Sequence, residues 1–596
     1  MRKLEQLLRE NDHKPYPAYK SLKGSYTFQG YVLSIDHVQG DPFAAPSSLS
    51  IHMAANQHGF PKEYYAEPHR RIMLQDYLLR GFYRELGRYS HKAGGSGKSG
   101  TLSVSSCGQE VLERSALTIN PADGSLILRF SAGFPAAGRT TLAQELKKML
   151  FEYVPACAAK TLRYAVSNKA ELQTWIALAD DQKAIREQLP LRGLVAFVAN
   201  GAILPRRSGV DDRPMADAVE FTSPAEDEIT LELPGGRKLS GLGIKKGITL
   251  IVGGGYHGKS TLLKALERGV YNHVPGDGRE YVITEDTAMK LRSEDGRSVK
   301  QVDVSAFIRD LPSKRDTKCF STEDASGSTS QAACTVEAIL SGSKTLLIDE
   351  DTSATNFMVR DALMQKVIHP GEEPIIPFLS RMRQLYEVLG ISTILVAGSS
   401  GAFFEISDLI LQMKEYKPID ITKKAKEAAE ATSEKLEFPD KIVIGADRRI
   451  PFPNKEVTES RKVKVRGNGT DAVSINHESV ELRFVEQVVD NEQTNLLGAL
   501  LRTLEEQYFN GRDDLPKCVN ALYDKLSKQG FSACAQGGRG AEGGRGADGG
   551  HGAEGGRGAD IGRGNASDSI PGNLAMVRPQ ELWAMVNRYR GLRLGK

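Results

Sequence analysis

A glycine-rich segment near the middle of the chain has the composition and the setting of a phosphate-binding loop. The run GGGYHGKST at residues 253–261 fits G-x-x-x-x-G-K-[ST], whose fixed positions are Gly253, Gly258, Lys259 and Ser260. The β-rich run ITLIV precedes it, and TLLKALERG, with helical spacing, follows it. Such a strand–loop–helix unit presents backbone N–H groups to phosphate oxygens. The sequence therefore predicts that Lys259 binds the β- and γ-phosphates of a nucleotide and that the Ser260 hydroxyl binds Mg²⁺.

Two adjacent acidic residues follow a second apolar run further along the chain. The run TLLID at 345–349 favours a strand, and it places Asp349 at the carboxyl end with Glu350 directly after it. A carboxylate at such a strand end completes the Mg²⁺ shell in phosphate-loop proteins. A second carboxylate beside it can accept a proton from the attacking water, or orient that water. We therefore predict that Asp349 is a metal ligand and that Glu350 is the catalytic base, with a simple strand end as the alternative.

A third segment, between the first two, has the residues of an anion-binding helix start. Ser326, Gly327 and Ser328 precede a helix-like run that begins near Gln331. Hydroxyl and N–H donors at the positive end of a helix bind anions. One nucleotide rarely needs two such devices from one subunit, so we predict a composite site in which this segment contacts the γ-phosphate bound by a second copy. The alternative is a simple N-cap turn.

Length and composition limit the other possibilities. The 596 residues exceed what one hydrophobic core supports, so several domains are expected. The net charge, 78 − 75 = +3, excludes a polybasic nucleic-acid coat and an acidic disordered chain. No apolar run is long enough to span a membrane, which excludes an integral transporter. The N-terminus lacks an apolar signal core, and six cysteines without CxxC spacing indicate reduced thiols, so we expect a cytoplasmic or nuclear protein.

Several motifs together resemble one known family. The runs GGGYHGKSTLLKALE, PGDGREY, STEDASGSTSQAA, LLIDEDTSATNFMVRD and STILVAGSSG are similar to those of the soluble ABC-class ATPases, which have no membrane partner. The likeness extends to YKSLKGSY, IDHVQGDPFAAPS and NGAILPRRSG in the N-terminal half and to VRPQELWAMVNRYR at the end. The resemblance implies an α/β fold, with an ABC-type P-loop ATPase core and additional N-terminal and C-terminal α+β domains. It also implies ATP and Mg²⁺ as cofactors, a homodimer, and no transmembrane subunit.

The resemblance also assigns roles to individual residues. Catalysis would fall to Glu350 and Lys259, and metal binding to Ser260 and Asp349. The ATP-binding residues that it implies are Gly253, Gly254, Gly255, Tyr256, His257, Gly258, Lys259, Ser260, Thr261, Ser326, Gly327, Ser328, Gln331 and Ser399. Three features depart from the family pattern: Ser326 is followed by one glycine instead of two, the switch histidine is replaced by Ser399 or Ser400, and the span from Lys259 to Ser326 is short. The missing imidazole predicts slow hydrolysis, and the short span disfavours coupling to a transporter.

Composition shifts divide the chain into five expected segments. These are an N-terminal α+β domain at 1–160, an ABC-class P-loop ATPase domain at 161–440 with its core at about 240–415, a C-terminal domain at 441–535, a Gly/Arg-rich disordered repeat at 536–566, and a C-terminal helix at 567–596. The repeat cannot bury a core. Its four arginines are balanced by four acids, which favours a spacer.

A nucleic-acid partner is the remaining expectation. Basic clusters occur at 204–209, 461–466 and 588–593, and each could bind a phosphate backbone or lie on a solvated face. We predict an ATPase coupled to single-stranded RNA or DNA. The alternative is a nucleotide-gated nucleic-acid-binding module with little or no turnover.

Overall fold

The computed structural model describes residues 1–360, 373–398, 400–432, 440–460, 463–534 and 570–595. Ser399 and the repeat predicted at 536–566 lie outside these residues, as do Arg461 and Lys462 of one basic cluster.

The N-terminal part is an antiparallel sheet covered by helices. Its strands follow the order β1-β2-β3-β7-β4, and β6 pairs with β7. The first helix buries Leu4 and Leu8, and β2 alternates buried and half-buried residues because one of its faces lies on the core. The elements are α1 Arg2–Glu10, β1 Gly24–Phe28, β2 Tyr31–His37, β3 Ser47–Met53, α2 Ala55–His58, α3 Pro68–Gly87, β4 Leu102–Ser103, β5 Glu110–Val111, β6 Leu117–Ile119, β7 Leu126–Ala132, β8 Ala136–Ala137, β9 Thr140–Thr141, α4 Ala143–Lys148 and α5 Val154–Thr161.

The central part contains two sheets. A six-stranded sheet has the order β18-β21-β22-β15-β23-β24, in which only β24 runs antiparallel to its neighbour. A four-stranded antiparallel sheet has the order β13-β14-β10-β17. The elements are α6 Lys169–Leu191, β10 Leu194–Ala199, β11 Arg206–Ser208, β12 Asp211–Pro214, β13 Glu228–Leu233, β14 Arg237–Lys245, β15 Ile248–Val252, α7 Lys259–Arg268, β16 Asn272–His273, β17 Val282–Thr284, β18 Met289–Leu291, β19 Arg297–Val302, β20 Phe320–Ala325, α8 Gly327–Leu340, β21 Thr345–Asp349, α9 Thr355–Met358, α10 Phe378–Leu389, β22 Ser392–Val396, β23 Leu409–Lys414, β24 Lys417–Asp420 and α11 Thr422–Thr432.

The strands at the centre of the six-stranded sheet are buried on both faces. In β15, Leu250 belongs to one hydrophobic core and Ile251 to another, on the opposite side of the sheet. This explains why ITLIV and TLLID read as continuous apolar runs, since a parallel sheet covered by helices has no solvated face.

The C-terminal part packs against the two others. Its elements are β25 Pro451–Phe452, α12 Lys455–Thr458, β26 Val465–Asn468, β27 Ala472–Ile475, β28 Glu478–Glu481, α13 Asn491–Thr503, α14 Leu515–Gln529, α15 Pro579–Arg588 and β29 Arg593–Leu594. Residues 570–577 lie against the N-terminal part, where the Ser115 N–H donates to the Leu574 carbonyl at 2.9 Å. Arg114, which is 2% exposed, bridges to Asp490 at 2.6 Å and Glu492 at 2.7 Å. These contacts fix the C-terminal part to the first domain.

Within the described ranges, no helix is both long enough and apolar enough to cross a membrane. All six cysteines are free.

Candidate functional site

The glycine-rich loop connects the end of β15 to the start of α7, as the sequence predicts. Gly253 has φ 137°, and a Cβ at this position would overlap the Met413 carbonyl oxygen of β23. Gly258, with φ 97°, turns the chain into α7. Both positions require glycine, because a side chain would strain the backbone there. The loop therefore lies over the carboxyl ends of β15 and β23, with the first turn of α7 open to a ligand.

Lys259 is folded back over this loop. Its Nζ donates to the Gly253 carbonyl at 2.7 Å and to the Gly254 carbonyl at 3.0 Å. Ser260, at the second position of α7, is exposed. A phosphate group over the loop can take the place of these carbonyls as the acceptor for the ammonium group, which then pairs with an anion instead of a neutral oxygen.

The two predicted acids lie at the same edge of the sheet as the loop. In the strand register, Asp349 pairs with Val396 of β22, and Val396 pairs with Ile251 of β15. Two strand spacings, about 10 Å, therefore separate the backbones of Asp349 and Ile251. The Asp349 carboxylate is 8% exposed and accepts the Asp351 N–H at 3.2 Å, while Glu350 Oε2 accepts the Gly398 N–H at 2.7 Å. The second hydrogen bond orients Glu350 toward the loop that follows β22.

The donor set at this edge fits Mg²⁺. The Ser260 hydroxyl and the Asp349 carboxylate offer oxygen atoms, the ligands that Mg²⁺ prefers. Over the part of the chain that the structure describes, no three or more His, Cys, Asp or Glu residues group to hold a metal. Mg²⁺ at this edge would therefore take its remaining ligands from phosphate oxygens and water.

The serine-rich segment forms the N-terminus of α8, with Ser326 as its N-cap. The Ser326 hydroxyl is exposed and contacts the Thr329 hydroxyl at 3.0 Å. A Cβ on Gly327 would lie 2.6 Å from Ser293 Oγ, so α8 begins against the loop that follows β18. Because β18 lies three strands from β15, about 14 Å away, this helix start is distant from the phosphate loop of its own chain. No described hydrogen bond joins Ser326 or Ser328 to residues 253–261.

Gln331 connects α8 to the acidic strand. Its Nε2 donates to Ser353 Oγ at 2.9 Å, and its Oε1 accepts the Ala354 N–H at 2.7 Å. Gln331 is fully buried, so its amide positions the backbone after Glu350 and does not reach out to a ligand in this arrangement.

Charged residues that the sequence analysis missed surround the base of the site. Glu486, from the C-terminal part, pairs with Lys264 of α7 at 2.9 Å and with Arg292 after β18 at 3.2 Å. Burial acts to raise the pKa of Glu486, but these cations, Lys264 above all, hold it below its usual value. Lys290 of β18 is 8% exposed; burial lowers its pKa, and Glu267, Glu486 and Asp349 oppose that shift. No local sequence motif predicts these ion pairs, because the paired residues are far apart in the sequence.

The structure thus brings residues 253–261 together with Asp349 and Glu350 at one sheet edge, and it places Ser326, Gly327 and Ser328 elsewhere. Tyr256 is fully exposed with φ 63°, and His257 Nδ1 accepts the Glu415 N–H at 3.0 Å. Ser399, the serine in place of the switch histidine, lies outside the described residues.

Three protein-family models match parts of the chain. A model described as the P-loop domain of ABC ATPases matches residues 168–449, and a model of the N-terminal domain of ATPases of the ABC class matches residues 1–165. The chain belongs to the ABC-class ATPases. Its fold is an ABC-type P-loop core with an additional N-terminal domain, built from mixed helices and sheets. A third model, named for the MRB1590 C-terminal domain, matches residues 464–544 and 560–595.

Comparisons with individual proteins say less about this chain than the family models do. The uncharacterized protein MJ1628 of Methanocaldococcus jannaschii is 34% identical over 257 residues, which make up 41% of this chain and 55% of that protein. The chain thus spans about half the length of this relative. Among solved structures, CbiO1 of Clostridium perfringens, described as part of the ABC transporter complex cbiONQ, is 14% identical, with a TM-score of 0.26 over 40% of this chain and 93% of that one. A score this low does not bear on the fold.

Proposed function

We propose that the chain hydrolyses ATP with Mg²⁺ at a composite site formed by two copies of the chain. The observation that carries the proposal is the separation of two anion-binding elements within one copy. The phosphate loop lies at the end of β15, and the α8 N-terminus lies beside the loop after β18, three strands away. A two-fold dimer brings the α8 N-terminus of one copy to the γ-phosphate bound by the other, so that both elements serve one nucleotide.

Each residue of the site has a separate role in the proposed reaction. Lys259 exchanges its carbonyl partners for the β- and γ-phosphates, while the backbone N–H groups of residues 254–258 surround them. Ser260 and Asp349 would hold Mg²⁺, which would supply positive charge beside the transferred phosphoryl group. Glu350, oriented by the Gly398 N–H, accepts a proton from the attacking water. Ser326 and Ser328 of the partner copy donate to the γ-phosphate at a helix N-terminus.

Two substitutions test the assignments. Lys259→Ala should abolish ATP binding, because no neighbouring side chain duplicates its contact. Glu350→Gln should retain ATP binding but lose hydrolysis by about 100-fold or more, since the amide cannot accept the proton. The matched control is Lys62→Ala, an exposed lysine of the N-terminal part. Binding is measured by calorimetry and turnover by phosphate release; full turnover in a folded Lys259→Ala protein would refute the phosphate-loop assignment.

Mixed subunits test the composite site. Ser326→Arg and Lys259→Ala damage opposite halves of one site, so a heterodimer of the two variants has one site with both lesions and one intact site. Turnover should return in part when two inactive proteins are mixed. No recovery, with subunit exchange demonstrated by mass spectrometry, would contradict sharing of the site.

We further propose coupling to single-stranded RNA or DNA through β26. Lys464 directly precedes this strand and Arg466 lies within it, and both are exposed. Arginines of the other two basic clusters are engaged within the chain: Arg206 pairs with Asp277, and Arg588 with Glu294. This exposed pair remains able to contact a phosphate backbone.

Salt dependence tests the β26 contact. Each phosphate contact on a single strand contributes about −0.7 to the log–log slope of affinity against salt, so Lys464→Ser with Arg466→Ser should flatten the slope by about 1.4. The control pair is Lys20→Ser with Lys23→Ser, exposed lysines of the N-terminal part. Equal slopes for both pairs would remove β26 from the interface.

The second candidate function is a nucleotide-gated nucleic-acid-binding module with little turnover. The absence of an imidazole from VAGSSG favours it. ATP turnover measured with and without single-stranded RNA decides between the two functions. RNA should change the turnover of a coupled ATPase, whereas in a nucleotide-gated module only the affinity for RNA should respond. The free cysteines support the reducing cytoplasm as the location for either function.

A further inference from the structure

A cleft lies at the amino ends of three strands of the six-stranded sheet, between these strands, α6, β10 and α10. Lys246 and Lys344 precede β15 and β21, and Ser392 begins β22. The volume of the cleft is about 540 Å³. Sites for small molecules have volumes of about 300–1,000 Å³, so the cleft is large enough for one.

The cleft is separate from the proposed ATP site. The strands β15, β21 and β22 are parallel, and the phosphate loop, Asp349 and Glu350 lie at their carboxyl ends. Lys344 is five residues before Asp349, which corresponds to about 16 Å along the strand. A small molecule in the cleft is therefore a second ligand and not a part of the bound nucleotide.

One side of the cleft offers hydrogen-bond donors that have no acceptor. Lys246 and Lys344 are exposed, and neither forms an ion pair with a residue that the structure describes. Thr345 and Ser392 pair across β21 and β22, so their side chains lie on the same face of the sheet. Both are buried: the Thr345 hydroxyl has no described partner, and Ser392 Oγ accepts the Gly247 N–H at 3.1 Å, which leaves its own proton to donate. Two ammonium groups beside two hydroxyl groups favour a negatively charged group with several oxygen atoms.

Two acidic residues also line the cleft, and both already accept hydrogen bonds. Glu285 accepts the Thr287 N–H at 2.9 Å and the Thr287 hydroxyl at 2.8 Å. Asp286 pairs with Arg186 at 2.5 Å. Three cations and two acids line the cleft, which leaves one net positive charge. The charge of the lining therefore also favours an anion.

The other side of the cleft is apolar. Leu189 and Pro190 lie in the last turn of α6, Leu194 begins β10, and Leu389 ends α10. Leu189 and Leu194 are almost fully buried, whereas Pro190 is exposed and Leu389 is half-buried. A hydrocarbon group against these residues would leave water, which is favourable. The two sides of the cleft thus differ in the chemistry that they accept.

We propose that the cleft binds an amphipathic anion, in which a hydrocarbon chain carries one carboxylate or phosphate group. Lys246 and Lys344 contact the anionic group, and the two buried hydroxyl groups donate to its oxygen atoms. The chain lies against Leu189 and Leu389. This ligand differs from ATP in both chemistry and place, so the proposal does not depend on the ATPase function.

Four probes test which chemistry the cleft accepts. Decanoate, decyl phosphate, decanol and acetate are titrated into the full chain without nucleotide, and calorimetry measures their affinities. Decanoate or decyl phosphate should saturate one site, and the tighter of the two identifies the head group. Decanol lacks the charge and acetate lacks the chain. Each should therefore bind at least about tenfold more weakly, since a hydrogen bond to a charged group contributes about a factor of ten or more.

Variants locate the bound anion. Lys246→Ala with Lys344→Ala removes both unpaired cations and should weaken the binding of decanoate about tenfold or more. Lys246→Arg with Lys344→Arg keeps the charge and should bind decanoate nearly as the wild type does. The matched control, Lys245→Ala with Lys318→Ala, removes the same charge from exposed lysines outside the cleft and should leave the affinity unchanged.

Three results would overturn the proposal. These are no saturable binding of either decyl anion to the wild type, equal affinities for decanol and decanoate, and equal losses of decanoate affinity in the two alanine double variants. Leu389→Ser tests the apolar side. Weaker binding of decanoate with an unchanged circular dichroism spectrum supports the cleft, whereas wild-type affinity places the chain elsewhere and contradicts it.

Discussion

Arg588→Met should loosen the last helix, α15, from the loop and helix that form the second half of the proposed site. Arg588 Nε donates to Glu294 Oε2 at 3.0 Å, and the two side chains are 9% and 5% exposed. Burial acts to raise the pKa of Glu294, but Arg588, followed by Arg297, brings it below its usual value. The Glu294 N–H in turn donates to Ser330 of α8 at 2.9 Å. Removing Arg588 therefore leaves a buried carboxylate beside α8 with a weaker counter-charge.

The structure sets the size of the effect. Breaking a buried ion pair by removing one partner costs about 3–5 kcal/mol. Arg297 remains within the same cluster, paired with Glu337, so we expect the lower end, about 3 kcal/mol. A cost of this size raises the opening equilibrium of α15 roughly a hundredfold, since about 1.4 kcal/mol corresponds to a factor of ten.

Hydrogen exchange measures this opening directly, whereas the unfolding of several domains is not a two-state process. Protection of peptides covering residues 579–588 should fall about a hundredfold, and protection of α1 should not change. The matched control is Arg213→Met, whose side chain is 61% exposed beside Asp211 and whose loss should cost under about 1 kcal/mol. The double variant Arg588→Met with Glu294→Leu should recover most of the protection, because an apolar pair can replace a buried ion pair. Unchanged protection in Arg588→Met, or no recovery in the double variant, would refute this account of the cluster.

Three further predictions concern Gly253, Glu505 and two of the cysteines. Gly253→Ala should abolish ATP binding without unfolding the chain, because its Cβ would overlap the Met413 carbonyl; calorimetry with circular dichroism checks this, and wild-type affinity would contradict it. Burial raises the pKa of Glu505 to about 7, so the folded state keeps a proton that the unfolded chain releases near 4.5, and stability falls as pH rises between these values by at most roughly 3 kcal/mol. Glu505→Gln should therefore raise the thermal midpoint at pH 8 and leave it unchanged at pH 4; equal effects at both pH values would exclude the titration. An alkylating reagent should modify the exposed Cys319 and spare Cys334, because burial raises the pKa of the Cys334 thiol to about 12; peptide mapping that finds equal labelling would contradict the burial of Cys334.

Short sequence patterns predicted the elements that are determined by residues close together in the chain. The strand that ends at Asp349 and the strand–loop–helix around Lys259 both form where the patterns placed them. Each depends on residues within one short stretch of sequence: apolar patterns for the strands and for the helix that follows the loop, and glycines with positive φ for the loop itself. The roles proposed for these residues stay predictions.

The remaining features depend on contacts between residues that are far apart in the sequence. Glu486 and Lys264 are separated by 222 positions, yet they form an ion pair beside α7. Tyr416 lies beside Gly258 only because β23 is the neighbour of β15 in the sheet. The turn between β23 and β24, with the sequence KEYK, contains no Asn or Gly, so it lacks the usual signal of a two-residue hairpin.

The C-terminal part contacts both helices that carry the halves of the proposed site. Glu486 pairs with Lys264 on α7, which starts at the phosphate loop, and Arg588 pairs with Glu294, which is hydrogen-bonded to α8 near Ser326. In the proposed dimer, a partner that shifts the C-terminal part would therefore act on ATP bound by its own chain and on ATP bound by the second copy. Because binding free energies are linked reciprocally, ATP must change the affinity for that partner by the same factor by which the partner changes the affinity for ATP. The proposed coupling would thus be measurable from either ligand, and Glu486 and Arg588 are the residues through which we expect it to pass.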